Sequence, residues 1–461
     1  MQQTFNTKHA YQTWASFPMI WCALILLTAH ILSAQNSKAG VTQPDGPLDA
    51  ARQALSRGDY GQAEAQFRHL LKLHPHSSEL LADLGIALHQ QSRYFEAAVL
   101  FQKSLSSQQL PNTTAFLAID YCQTQQYLKA QPLLDFLEKH EFDRSLFQAI
   151  GPCFLAANRA LGAIRIYTEV SKTALTEGEQ QEASAGLIRA YFDGAHQLVA
   201  LLGRLPDSTE YAAAIQSAVT GAGDAKLAVE EALANQPLLE NVTTLGDLIQ
   251  LYSDHIQDPA IVYVLATALA ERAAAGYSAF LEQWPDSLEG YRLTAETLAS
   301  RGRSDDIGEA AATYERLLEK YPNAPAYIHF ALGNMYESLG KHDAALAEYT
   351  KAYNPAHPDV AVLERLSGML IEKGNTDLVR KLLLPLSGYS DAPAWLLRDY
   401  GKAEYRNGHL PEALEALKKS ERADPQNAPT HYSLFLVLRD LEQKAAARAE
   451  LNIFKELKYQ K

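Results

Sequence analysis

Arg398 and Lys402 lie four residues apart in the stretch WLLRDYGKAEY, with Trp395 three residues before the arginine and Tyr405 three after the lysine. On a helix this spacing puts two cations and two aromatic rings along one face. Guanidinium and ammonium groups form charge-assisted hydrogen bonds, so such a face suits successive anionic groups on an extended ligand. The chemistry implied is recognition.

Groups for making and breaking bonds are not assembled in this way. The chain has no glycine-rich phosphate loop, no H-E-x-x-H, no C-x-x-C and no G-x-S-x-G. Its histidines are scattered: His74 and His76 share one break between helical patterns, and His342 and His409 fall in others, where solvated polar side chains belong. The acidic pairs Asp305-Asp306 and Glu230-Glu231 read as solvated faces. No catalytic residue, metal ligand or small-molecule cofactor is expected, and the chain reads as a non-enzyme. The formal net charge is −13 with no run of Lys/Arg, which gives a nucleic-acid partner no electrostatic support.

The N-terminus reads as a signal peptide over residues 1–34. Lys8 is its one formal charge, the run FPMIWCALILLTAHIL is almost unbroken apolar up to Leu32 with His30 interrupting it, and SAQN follows. That run is short of the roughly 20 residues that span a bilayer, so cleavage near Ala34 is favoured over a membrane anchor made by residues 17–34. Cleavage would remove Lys8 and no acid, leaving 40 basic against 54 acidic residues, or −14. The expected location is exported, periplasmic or secreted, with membrane contact only if the segment stays uncleaved. Cys122 and Cys153 would survive the cut.

The elements that position these residues follow from a repeat. Small residues recur at Ala310, Ala345, Val379, Ala413 and Ala447, in steps of 35, 34, 34 and 34. Ala63, Ala97, Ala130 and Ala163 do the same in steps of 34, 33 and 33, each followed four residues later by Phe67, Phe101, Leu134 or Tyr167. The clearest copies are LADLGIALHQQSRYFEAAVLFQKSL, with Gly85, Ala97 and Phe101, and LGNMYESLGKHDAALAEYTKA, with Gly333, Tyr336, Ala345 and Tyr349. Two helices approach closely only where side chains are small, so Gly333 and Ala345 are expected at the contact, with Tyr336 and Tyr349 filling the space around it.

A helix with L-G-x-x-Y, a glycine-containing turn and an A-x-x-x-F/Y-x-x-A helix closed by proline resembles the tetratricopeptide repeat (TPR) family. The resemblance covers roughly two thirds of the chain in about nine copies. It implies an all-α, right-handed superhelical solenoid of antiparallel helix pairs. The expected organisation is a signal peptide at 1–34, a linker at 35–47, an N-terminal array at 48–176, degenerate helical hairpins at 177–290 and a C-terminal array at 291–461. In the middle, YAAAIQSAVTGAGDAKLAVEEALANQP reads as two helices split at Gly221 to Asp224, and DPAIVYVLATALAERAAAGYSAFLEQWP as two more. In the repeat register the two cysteines sit on adjacent first helices but about 200° apart in rotation, which favours buried thiols over a disulfide.

TPR arrays resemble one another in binding peptides or partner proteins along the inner face of their first helices. Carried over by register, that face comprises Tyr327, Phe330, Asn334, Trp395, Arg398, Lys402, Tyr405, Tyr432 and Arg439. Asn334 echoes part of the family's carboxylate clamp, although Phe330 stands where its lysine would. Tyr327 and Phe330 equally suit packing between repeats, and Trp395 suits the seam. The resemblance thus implies a protein–protein interaction scaffold or adaptor whose groove binds a peptide or partner protein in an envelope compartment. The alternative is a structural accessory subunit of an envelope assembly or polysaccharide-export machine.

Overall fold

A computed structural model describes residues 46–106, 109–220, 237–239, 242–389 and 391–459. The expected signal peptide, the split at Gly221 to Asp224 and the Glu230-Glu231 pair lie outside these residues. The described residues form twenty-two α-helices and no strands. The chain begins with α1 (Pro47–Ser56), α2 (Tyr60–Leu73), α3 (Ser78–His89), α4 (Tyr94–Leu105), α5 (Pro111–Gln123) and α6 (Tyr127–Leu137). The middle holds α7 (Phe147–Ala156), α8 (Ala160–Thr173), α9 (Glu177–Leu202), α10 (Thr209–Thr220), α11 (Leu245–Asp254), α12 (Pro259–Gln283) and α13 (Leu288–Ser300). Then come α14 (Ser304–Lys320), α15 (Ala326–Ser338), α16 (His342–Ala352), α17 (Val360–Glu372), α18 (Thr376–Ser387), α19 (Ala394–Arg406), α20 (Leu410–Ala423), α21 (Ala428–Asp440) and α22 (Lys444–Tyr459).

Packing divides the chain into two compact units, residues 144–300 and a unit joining 1–143 with 301–461. The sequence pattern draws its boundaries at 176/177 and 290/291, because it follows the repeat signature and not the contacts.

Seven of the hairpin turns are closed in one way. Gly340, Gly374 and Gly408 have φ of +70°, +80° and +82°, and Ser92, Gln125, Asn158 and Glu442 take the same left-handed conformation in their copies. The next residue's N–H then returns to a carbonyl five residues back, as from Lys341 to Tyr336 at 2.8 Å and from Arg93 to Leu88 at 3.0 Å. This satisfies carbonyls that the helix end would otherwise leave unpaired. Glycine adopts the conformation without strain, but the four other residues show that the turn does not require it.

The periodic small residues are core. Ala63, Ala97, Ala130, Ala163, Ala310, Ala345, Val379 and Ala413 are completely buried. The glycines of the first helices admit the large residue of the second: a Cβ on Gly85 would lie 2.6 Å from the Phe101 ring, and one on Gly333 2.6 Å from Tyr349 Cε1. Tyr336 is placed differently from its expected role. It packs at the margin of this core, half-buried, with its hydroxyl on Glu315.

In the 144–300 unit, α9 and α12 are single helices of 26 and 25 residues. The expected break within 259–284 is absent, because Gly276 continues the helix and takes Ile188 of α9 against its backbone, 3.1 Å from where a Cβ would be. Thr176 and Glu179 form a capping box at the start of α9, and Asp258 caps α12. Buried Arg189 of α9 donates to Glu296 at 2.6 Å and Glu289 at 2.8 Å, and Arg292 donates to the same two carboxylates at 2.9 and 3.2 Å. Two cations and two carboxylates satisfy one another, which is what permits their burial.

Cys122 and Cys153 are buried, and each has its sulfur in a disulfide, not as the thiol favoured by the register.

Candidate functional site

The nine residues read from register as a binding face separate into three settings. On α15, Phe330 is completely buried against Tyr349, with ring centroids 5.6 Å apart, and Tyr327 is buried as well. Asn334 is buried, and its Oδ1 accepts the Tyr349 hydroxyl at 2.7 Å. These three are core residues, which corrects their assignment to a partner-binding face: a side chain enclosed by its own repeat has no surface to offer. The half-clamp at Asn334 is used internally.

On α19 the pattern is mixed. Trp395 packs against the core, and its buried Nε1 has no hydrogen-bond acceptor among the described residues. Arg398 donates through Nε to Asp399 Oδ1 at 2.8 Å, and Lys402 Nζ stands 3.8 Å from the same oxygen. Asp399 is buried and also accepts Ser367 Oγ of α17 at 3.2 Å. Desolvation holds the Lys402 ammonium below the usual lysine range, with Arg398 and Arg406 acting in the same sense and Asp399 opposing. Both cations are therefore committed to an internal acid and are weaker handles for an external anion than their spacing implies.

The third setting is open. Tyr432 on α21 is 42% exposed and packs on Phe435 and on Phe454 of α22, with centroids 5.9 and 5.0 Å away. Arg439 lies over the Phe435 ring at 5.9 Å and Lys458 over Phe454 at 5.7 Å. The Tyr405 hydroxyl donates to Asp440 Oδ2 at 2.6 Å, and Arg439 Nε donates to Asp440 Oδ1 at 2.7 Å. The result is a band of partly exposed rings edged by cations, and its Tyr432 and Arg439 are of the residue types enriched at binding hot spots. Of this band, register named Tyr405, Tyr432 and Arg439 and did not name Phe435, Phe454 and Lys458, two of which sit on a second helix.

Sequence reasoning also missed a clasp within the unit that joins 1–143 with 301–461. Phe95 of α4 stacks on Tyr389 at 5.4 Å, the Tyr389 hydroxyl donates to Glu96 at 3.1 Å, and Lys129 pairs with Asp391 at 3.3 Å. Glu364 on α17 is held above the usual carboxylate range by desolvation, and Gln125 donates a hydrogen bond to it. The N-terminal hairpins thus lie against the connection between α18 and α19 and against α17. Such contacts carry no periodic signal.

Two other features offer chemistry. Glu421, His431 and Glu450, on α20, α21 and α22, bring metal-ligating atoms within 4.8 Å of one another. In the 144–300 unit a cleft of about 380 Å³ is lined by Tyr191, Ile188, Phe280 and Trp284. Among the described residues no helix is long and apolar enough to cross a membrane.

Residues 48–112 and 303–361 match the tetratricopeptide repeat model. Among solved structures the chain is similar to YrrB, described as a TPR protein with an unusual peptide-binding site, at 20% identity over 39% of this chain and 91% of that one, with a TM-score of 0.34. It is similar to MamA from Desulfovibrio magneticus RS-1 at 20% identity, over 38% and 97% of the two chains, with a TM-score of 0.34. For yeast Tom70 the values are 14%, 89%, 91% and 0.30. No curated protein matches the sequence.

Proposed function

We propose that the chain, whose residues 48–112 and 303–361 match the tetratricopeptide repeat model, is a non-enzymatic scaffold that binds a partner protein through the open face of α21 and α22. The observation that carries this reading is the band formed by Tyr432, Phe435 and Phe454 under Arg439 and Lys458. Half-exposed rings supply apolar area with little loss of side-chain freedom on binding, and two cations on an otherwise acidic chain select an acidic segment. The partner is a protein or peptide carrying acidic groups beside an apolar anchor.

The same proposal places the chain in an exported compartment. Its support is the apolar run before SAQN, and the mature N-terminus belongs near Gln35. Recovery of intact Met1 or Gln2 on a membrane-bound form would favour the anchor.

The binding reading is tested by affinity capture from the native envelope fraction with the wild type and with Tyr432→Ala combined with Arg439→Glu. The variant is expected to lose the partner while keeping its helicity, because both side chains are largely exposed. Retention of the partner at wild-type yield would refute the assignment.

A further inference from the structure

We propose that Glu421, His431 and Glu450 form a zinc site that ties together the last three helices. A ligand atom from each lies within 4.8 Å of the other two. His431 is the least exposed of the three, with 2% of its surface accessible. Its Nε2 faces the Pro425 carbonyl at 2.9 Å, and its Nδ1 faces Glu450 Oε2 at 2.7 Å. An Nε2–H donated to a backbone carbonyl fixes the ring orientation and tautomer, leaving the Nδ1 lone pair for a metal, the arrangement that usually supports a ligating histidine. Zinc takes nitrogen and carboxylate oxygen at about 2.0 to 2.2 Å, so the Glu450 carboxylate need only draw back slightly from Nδ1 to admit the ion, with water completing the shell. In the metal-free chain a proton bridges Nδ1 and Glu450, and the ion displaces that proton to solvent, which frees the lone pair.

An internal comparison says why a cation is wanted here. Glu319, His329 and Glu348 repeat the same residue types with the same separations of 10 and 19, three 34-residue steps earlier. There His329 Nδ1 pairs with Glu348 Oε2 at 2.7 Å, and the Lys351 ammonium neutralises the other oxygen, Glu348 Oε1, at 2.7 Å. The position equivalent to Lys351 is Ile453, and the residues three and four places from Glu450 along α22 are Ala446, Ala447, Ile453 and Phe454. No lysine or arginine pairs with Glu421 or Glu450 among the described residues. The later copy therefore gathers two carboxylates around a buried imidazole without the ammonium that the earlier copy uses. Its location also gives the ion work: among the described residues of α22 only Ala447 is buried.

The spacing resembles no short metal motif, since each ligand comes from a different helix, which is why the sequence reading names none. The test uses the full mature chain, stripped with EDTA, without a histidine tag, and titrated with ZnCl₂ and separately with MgCl₂ by calorimetry and by thermal melting. One zinc per chain is expected, with a raised melting temperature and no response to magnesium. Glu421→Gln and Glu450→Gln are each expected to weaken zinc binding by about tenfold or more. Glu421 is half-exposed and makes no hydrogen bond among the described residues, so its variant keeps the metal-free melting curve and remains informative if Glu450→Gln unfolds. Absence of zinc binding by the wild type, or an unchanged affinity in Glu421→Gln, would overturn the proposal.

Discussion

Replacing Gly333 by alanine should destabilise the protein, although the same change in most helices does the reverse. In a helix interior alanine is favoured over glycine by about 0.5 to 1 kcal/mol. At Gly333 the new methyl carbon would lie 2.6 and 2.7 Å from Cε1 and Cδ1 of Tyr349, well inside contact distance. The ring has nowhere to go: it is completely buried, lies against Phe330, and has its hydroxyl 2.7 and 2.6 Å from acceptors on Asn334 and Glu337. Overpacking of this kind costs about 1 to 3 kcal/mol. The net expectation is a loss of about 0.5 to 2 kcal/mol, read as a lower urea midpoint at unchanged slope in a circular dichroism titration. Gly368 in α17 provides the contrast, because nothing lies within 4 Å of its Cβ position and its backbone is helical. Gly368→Ala should therefore stabilise, by about 0.5 to 1 kcal/mol. The Gly333 penalty should shrink when Tyr349→Leu removes the ring. If Gly333→Ala raises the midpoint as Gly368→Ala does, the glycine–aromatic contact that defines the hairpin has been misread.

Three further expectations concern the α19 cluster, a buried acid and the clasp. Arg398→Glu should lower stability by about 1 to 3 kcal/mol in the same titration, since it deprives buried Asp399 of its closest cation and adds a like charge; an unchanged midpoint would mean that Arg398 is free for a ligand after all. Burial raises the Asp120 carboxyl from 3.8 to about 6 even though His89 opposes this at 2.6 Å. The folded state thus holds the Asp120 proton more tightly than the unfolded chain, so this contribution is complete below pH 3.8 and is lost as pH rises through about 6. Asp120→Asn should lack that loss and gain on the wild type by on the order of 2 kcal/mol between pH 4 and 7, and parallel pH profiles would contradict the assignment. Tyr389→Ala should release the stack on Phe95 and the hydrogen bond to Glu96, speeding amide exchange in α4; unaltered exchange over residues 94–105 would show that the clasp contributes nothing.

The fold was legible where physics repeats itself. The steps of 33 to 35 residues mark the buried contact in hairpin after hairpin, and Ala97, Ala345 and Ala413 sit where their spacing puts them. Legibility fails where one rule has two readings. Two helices were expected within 259–284, yet Gly276 lies in one long helix and serves close approach to Ile188, so a glycine alone does not say whether a helix ends. Phe330 shows the same limit for the site: its register belongs to the inner face, but a ring next to Tyr349 gains more from burial than from exposure. Arg398 and Lys402 looked available because helical spacing was read without Asp399, which lies one residue from the first and three from the second and draws both inward. Phe454 and Lys458 lie on a second helix, outside the first-helix register from which the face was read. The Tyr389 clasp joins residues 293 apart in sequence, and no local pattern encodes such a pairing.

The central claim is that the open aromatic and basic face of α21 and α22 receives the partner. Hydrogen exchange on the captured complex, compared with the free chain, tests it most directly. New protection is expected over residues 428–459 and at Tyr405, with little change over the buried α15 residues Tyr327, Phe330 and Asn334. Protection confined to other helices, with residues 428–459 exchanging as in the free chain, would contradict it.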